Sequence, residues 1–286
     1  MRKKLIFIIT FFIFVTVVGI VVYAVPQTLT VNNELEVTFL DVGQGDAILI
    51  EAPNNVDVLI DGGRTKKILD LLSAELPFGD DTIDVVIATH PDADHIGGLP
   101  FVLDAYTVDK VFEPGVSSST QTYQAFQSRI RDKKIERGLA RRGMRIVLDA
   151  EKNIVIDILY PDRDTTGWET NEASIIARLS YGTTSFLLTG DSPVEKESYL
   201  VKHDGIALQS SVLKLGHHGS KTSSSESFLK TVAPLYTIIS AGKNNSYGHP
   251  HPSVLSRLNQ LHIPYLETGK MGSIRFVTDG VTLTQE

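Results

Sequence analysis

The sequence predicts an α+β protein in which two sheets pack face to face with helices on their outer sides. Three observations carry that expectation. Strand-like and helix-like segments alternate after Glu34, without repeats or low-complexity tracts. The earliest strands are joined by short glycine-containing turns, as hairpins require. Later strands alternate with stretches of helical periodicity, which suits sheets covered on one side.

Runs rich in Val, Ile, Leu and Phe, bounded by Gly, Pro, Asn or Asp, read as strands. In order they are Glu36–Asp41, Asp46–Glu51, Val56–Asp61, Asp84–Thr89, Lys110–Phe112, Ile154–Leu159, Ser174–Ser180, Ser185–Thr189, Val212–Leu215, Tyr236–Ser240, Ser273–Val277 and Val281–Thr284. Start and stop signals place helices at Thr65–Leu76, Asp94–Tyr106, Thr122–Arg142, Val194–His203, Ser224–Thr231 and Ser253–Leu261. No internal boundary is marked, so residues 35–286 are expected to form one domain behind a polar linker at 26–34.

At 286 residues the chain can bury a sizeable core, and its 42% hydrophobic and 21% charged composition is ordinary for an enzyme. A net charge of -7 excludes a basic nucleic-acid coat protein. Cysteine is absent, which excludes disulfides and thiolate metal sites and leaves His, Asp, Glu or Asn as ligands. Arg2-Lys3-Lys4 precedes an uncharged apolar run from Leu5 to Val25. About 20 such residues span a bilayer, whereas a secretory signal has a shorter apolar core of roughly 7–15. Residues 1–25 are therefore expected to be a membrane anchor with its basic end in the cytoplasm. A cleaved signal ending near Val22-Tyr23-Ala24 is the alternative. Either puts the domain outside the cytoplasmic membrane, as a membrane-attached or a secreted protein.

The most informative stretch is Thr89-His90-Pro91-Asp92-Ala93-Asp94-His95-Ile96-Gly97-Gly98, at the end of a buried strand. In an extended segment His90 and Asp92 point the same way. Asp94 and His95 would open a helix, and the glycines would let it pack closely on the strand. A lone histidine is usually structural, but this cluster suits divalent ions able to generate hydroxide at neutral pH. Asp191 ends the run Phe186-Leu187-Leu188-Thr189-Gly190, where it could bridge two ions or cap the next helix. Val212-Leu213-Lys214-Leu215-Gly216 delivers His217 and His218; adjacent side chains diverge, so one is expected to ligate and the other to face substrate. Asp41 and Asp46, in the turn Asp41-Val42-Gly43-Gln44-Gly45-Asp46, are expected to bond turn amides. Asp61 is expected to buttress the site. His249 lies in a loop, Asn245 to His251, for which surface and functional roles are equally balanced.

The phrases FLDVGQGDAILI, LIDGG, THPDADHIGG, NEASIIARL, FLLTGD, LGHHGSKTS and SYGHPHPSVL together resemble the metallo-β-lactamase fold superfamily, nearest to the extracellular hydrolase domain of ComEC-type DNA-uptake competence proteins. They run from about Glu36 to Leu261. The resemblance implies a four-layer αββα sandwich with a metal site on one edge. It also implies a hydrolase of phosphodiester bonds, with DNA as the expected partner. Carried over, His90, Asp92 and Asp191 match ligands of a first ion, and Asp94, His95, Asp191 and His218 those of a second. His217 matches a phosphate contact. Asp94, His217 and His249 are the residues expected to take part in catalysis, the last two at the departing oxygen.

Two departures stand out. The superfamily commonly has histidine at the position of Asp92 and a third histidine near Asn171. Oxygen donors favour harder ions, so manganese or magnesium becomes as credible as zinc. With one apolar span in the sequence, no counterpart of the competence proteins' multi-helix channel is expected, nor an obligate protein partner. A phosphorylcholine-esterase-type hydrolase of small or wall-linked esters, with similar LDVGQGD and HHG phrases, is the alternative enzyme. A catalytically silent DNA-binding domain is the alternative outside catalysis. Finally, Arg129, Arg131, Lys133, Lys134, Arg137, Arg141, Arg142 and Arg145 concentrate positive charge and could track a nucleic-acid backbone. A solvated helix with Tyr123, Phe126, Ile130 and Leu139 as its buried stripe explains the same pattern at least as well.

Overall fold

Alternation along the strands dictates the layering. The computed structural model describes residues 33–286, and the expected anchor or signal and most of the linker lie outside them. Strands β1 (Leu35–Phe39), β2 (Ile48–Glu51), β3 (Asp57–Ile60), β4 (Thr82–Ile87), β5 (Thr107–Glu113) and β6 (Glu136–Leu139) build one sheet. Strands β7 (Arg145–Asp149), β8 (Ile154–Tyr160), β9 (Ile176–Tyr181), β10 (Thr184–Leu188), β11 (Val212–Lys214), β12 (Tyr236–Ile239) and β13 (Tyr265–Glu267) build the other. The chain then returns, and β14 (Ile274–Thr278) and β15 (Leu283–Gln285) extend the first sheet beside β1. The orders are β15-β14-β1-β2-β3-β4-β5-β6 and β13-β12-β11-β10-β9-β8-β7.

On β3, Val58 and Ile60 enter the core between the sheets, whereas Leu59 faces the helices with Ile68, Leu99 and Leu103. On β10, Phe186 and Leu188 turn inward and Leu187 packs outward with Leu200, Phe228 and Leu258. Three cores between four layers result. Phe276 ties the middle one together, meeting Phe39 at 6.2 Å and Phe186 at 6.1 Å edge-on. Among the described residues no helix is long and apolar enough to cross a membrane.

Two expected helices differ. The segment Thr122–Arg142 is not one helix: the helix covers Gln121–Lys133, Lys134 ends it in the left-handed conformation, and Glu136–Leu139 continues as β6. Leu139 accordingly lies on an edge strand, 47% exposed, and only Tyr123, Phe126 and Ile130 line the helix-side core. The basic residues are divided among the helix, β6, the turn after it and β7, and Arg129, Arg137, Arg142 and Arg145 pair with Asp104, Glu113, Asp204 and Asp157. Asp94–Tyr106 is two helices, Ala93–Ile96 and Leu99–Ala105, divided at Gly97-Gly98. Gly98 packs against Gly62, so closely that a Cβ at Gly98 would sit 2.0 Å from the Gly62 carbonyl oxygen. Strands β7 and β13 were not expected; β7 is exposed along much of its length and β13 is only three residues long.

Gly98→Ala should therefore destabilise the fold by about 1–3 kcal/mol through overpacking, read as a lower thermal midpoint. Burial, with the Asp80 and Asp84 carboxylates nearby, pushes the Asp57 carboxyl up to about 7. The folded protein retains a proton there that the unfolded chain releases near pH ~4. Stability should thus fall as pH rises from about 4 to about 7. Denaturant titrations will show whether Asp57→Asn flattens that slope, as expected.

Candidate metal centre

Parallel pairing aligns strand ends. β3 and β4 run parallel in one sheet, β10 and β11 in the other, and their C-terminal ends carry Asp61, His90, Asp191 and His218 to one place. The turn between β1 and β2 adds Asp46, and the helix Ala93–Ile96 adds Asp94 and His95. Asp92 caps that helix in extended conformation, as the spacing predicted.

His95 Nε2 lies 3.2 Å from Asp191 Oδ1, and His218 Nε2 lies 3.4 Å from Asp191 Oδ2 and 3.7 Å from Asp94 Oδ2. His90 Nε2 lies 3.8 Å from Asp92 and 3.9 Å from Asp191. The Nε2 atoms of His90, His95 and His218 and Asp191 Oδ1 are buried and make no well-formed hydrogen bond among the described residues. Such a convergence of unpartnered ring nitrogens and a carboxylate oxygen is unfavourable unless a proton or a metal cation joins it. The donor set therefore fits divalent metal.

The far side of each ring explains the convergence. His95 Nδ1 is 2.7 Å from Asp61 Oδ2, and His218 Nδ1 is 3.3 Å from Asp46 Oδ1. Thr89 donates its hydroxyl to Asp61 at 2.7 Å, so its oxygen accepts from His90 Nδ1 at 3.0 Å. The Nδ1 atoms of His90 and His95 thus have hydrogen-bond partners that turn their Nε2 edges toward the cluster, whereas His218 Nδ1 meets Asp46 only as a charge pair. Asp46, Asp191, His95 and His218 place donor atoms within 4.8 Å of one another. Asp46, however, meets the Nδ1 side of His218, opposite Asp191, so its position is that of a buttress.

Asp61, His217 and His218 hold φ of +59°, +49° and +55°. These left-handed conformations are costly for residues with a Cβ and mark a constrained site. Burial alone would lower both His95 and His218, but Asp191 and Asp46, joined at His95 by Asp61, raise them well above the ordinary histidine range. Burial drives His90 well below it, helped by the charge on His95. Asp191 is held well below the carboxylate range because His218 and His95 outweigh its burial.

Sequence reasoning gave Asp41 and Asp46 turn duties. Asp41 does accept the Gly43 N–H at 3.1 Å, but Asp46 belongs to the cluster. Lys214 was missed altogether. Fully buried, it pairs with Asp46, donates to the Gly190 carbonyl at 3.1 Å and stands 3.9 Å from Asp191. Desolvation weighs on Asp46, yet Lys214 and His218 lower it to about 2. A lysine inside the apolar run Val212–Leu215 was the available signal, since a buried ammonium requires a carboxylate.

His217 and His218 diverge as expected. His218 enters the cluster, while His217 is partly exposed, 3.7 Å from Asp191, with Nδ1 3.1 Å from the Thr222 hydroxyl. His249 approaches His217 at 5.5 Å between ring centroids, bringing both to the mouth. The turn Asn171–Ala173 lies before Ser174, whose hydroxyl accepts the Asp191 N–H at 3.2 Å, and Asn171 Oδ1 is buried without a partner.

The profile of the metallo-beta-lactamase superfamily matches residues 40–243, which spans every donor named above. The chain belongs to that superfamily. Relatives include ComE operon protein 3 of Bacillus subtilis, 32% identical over 86% of this chain and 33% of that protein. Competence protein ComA of Neisseria gonorrhoeae is 31% identical over 88% of this chain and 33% of its own length. The chain thus spans about a third of the curated relatives it matches. The metallo-beta-lactamase fold protein YhfI from Bacillus subtilis superposes with a TM-score of 0.55 at 13% identity, over 86% of this chain and 99% of that one, which shows the shared fold. As a superfamily member the protein is a hydrolase-type domain, and it carries a candidate metal-binding cluster.

Because His95 and His218 carry protons that ligation must displace, metal uptake should release protons and weaken as pH falls; calorimetry in buffers of different ionisation enthalpy measures this. Lys214→Met leaves Asp46 buried without its counter-ion and should cost about 3–5 kcal/mol. Adding Asp46→Asn should recover part of that loss in the same unfolding assay.

Proposed function

We propose that this chain is a metal-dependent phosphodiesterase acting on DNA, held on the extracytoplasmic side of the membrane by residues 1–25. The observation that carries the reading is the inward convergence of the His90, His95 and His218 Nε2 atoms on Asp191. The competence-protein relatives support DNA as the substrate class.

In this reading His90, Asp92 and Asp191 hold one ion and Asp94, His95, Asp191 and His218 a second, with manganese, zinc or magnesium as candidates. The bound ions would supply Lewis acidity and a nucleophile at neutral pH. Asp61, Asp46 and Thr89 fix the tautomers and ring orientations on which that depends. Lys214 offsets part of the carboxylate charge and braces the turn at Gly190. At the mouth, burial lowers His217, and burial with the charges of His218 and His217 lowers His249 to about 4. Both are therefore neutral at pH 7. They approach a phosphate as hydrogen-bond donors, and its negative charge raises their proton affinity, so that either could take up a proton from solvent and, as the imidazolium, pass it to the departing oxygen.

Turnover of DNA and of bis(p-nitrophenyl) phosphate, with each metal added separately, tests the reading. Asp94→Asn and His218→Ala should each lower it by at least about 10²-fold with near-UV circular dichroism unchanged. Activity that survives EDTA would overturn it.

A further inference from the structure

We propose that Tyr247 and Arg64 form a nucleotide-binding lip at the mouth of the metal cluster, with an unpaired base stacked on the Tyr247 ring and the adjoining phosphate held by Arg64. This rests on the phosphodiesterase reading and adds the element that recognises a nucleic-acid strand. Tyr247 is 58% exposed, between the part-buried His249 and the exposed Arg64. One face of its ring stacks on His249, with centroids 6.0 Å apart and planes at 24°. His249 in turn abuts His217, which faces Asp191. The tyrosine is thus one imidazole removed from the groups expected to meet the departing oxygen.

Hydrogen bonds from the Asn245 side chain order the backbone that carries the ring. Asn245 Oδ1 accepts the N–H groups of Tyr247 at 3.2 Å and His249 at 3.0 Å, while Asn245 Nδ2 donates to the Gly242 and His249 carbonyls. An exposed aromatic held this way offers a π-face without the entropy loss of ordering a loose loop.

Arg64 comes from the opposite wall, following Asp61-Gly62-Gly63 at the end of β3. Its Nη2 is 3.3 Å from the Tyr247 hydroxyl and 3.9 Å from Asp94 Oδ2. The guanidinium is half exposed, and an ion pair of that kind holds it only weakly. It is free to turn toward an incoming phosphate.

Charge also decides between occupants. A tyrosine face attracts quaternary ammonium groups, but the guanidinium at its edge repels them and favours an anion. Bases within a duplex have both faces covered, so an unpaired base is the better fit.

The test is anisotropy with the metal-loaded full chain and fluorescent phosphorothioate strands, which resist hydrolysis. One single strand carries bases throughout; its counterpart is abasic at the centre. The wild type should bind the first roughly tenfold more tightly. Tyr247→Ala should erase that preference and Tyr247→Phe keep it. Arg64→Ala should weaken both strands alike and reduce the salt slope by about 1. Preference retained in Tyr247→Ala, or lost equally in Tyr247→Phe, overturns the proposal. So does absence of strand binding, or displacement by phosphorylcholine as readily as by a mononucleotide. Because binding alone is read, failure of the hydrolysis reading leaves this result interpretable, and the converse also holds.

Discussion

Everything at this site depends on how buried carboxylates are balanced against imidazoles and one ammonium. Asp46, Asp61 and Asp191 are almost fully buried, as are His90, His95, His218 and Lys214. Charges at such depth persist only when each has a partner of opposite sign or a hydrogen bond. The partnering is ordered. Asp61 and Asp46 take the Nδ1 edges, Lys214 takes Asp46, and the Nε2 edges are left to face Asp191. Without the Nδ1 acceptors, rotation of either ring would satisfy Asp191 equally well, and the lone pairs would no longer meet.

That balance also explains which parts of the site were legible in the sequence. His90, Asp92, Asp94 and His95 sit in one short segment, and Asp191 and His218 each end an apolar run, so strand direction alone predicts that they gather. Asp46 was hidden because an aspartate after glycines already has a sufficient role in a turn. Only the packing of the two sheets, a contact across the fold, brings it to His218 and Lys214. Lys214 left a trace, a charge at a core position. In the fold, long apolar strands and the glycine-flanked early turns were readable. What failed was local competition. Lys134 in the left-handed conformation stops a helix that side-chain periodicity would extend, and edge strands such as β6 and β7 lack the apolar alternation that marks a strand.

The donor chemistry is uneven across the cluster. Around Asp94 two imidazoles contribute, His95 and His218. Around His90 the remaining donors are oxygens, those of Asp92 and Asp191. Nitrogen-rich and oxygen-rich halves favour different ions. The two positions proposed here should therefore fill in sequence, the His95–His218 side first. Asp92 reinforces the difference: burial raises its carboxyl, so it gives up its proton less readily than Asp191 does.

The cluster also straddles the two sheets. Asp46, Asp61, His90, Asp94 and His95 are carried by the first, and Asp191, Lys214 and His218 by the second. Their registration is maintained by the core between the sheets, where Phe276 of the first meets Phe186 of the second. A small slide of one sheet on the other would separate Asp46 from His218 and Asp191 from His95 together. Close-packed interiors resist such a slide. The middle core is thus part of the site's geometry, since donors split between two walls can be preorganised only if the walls are locked first.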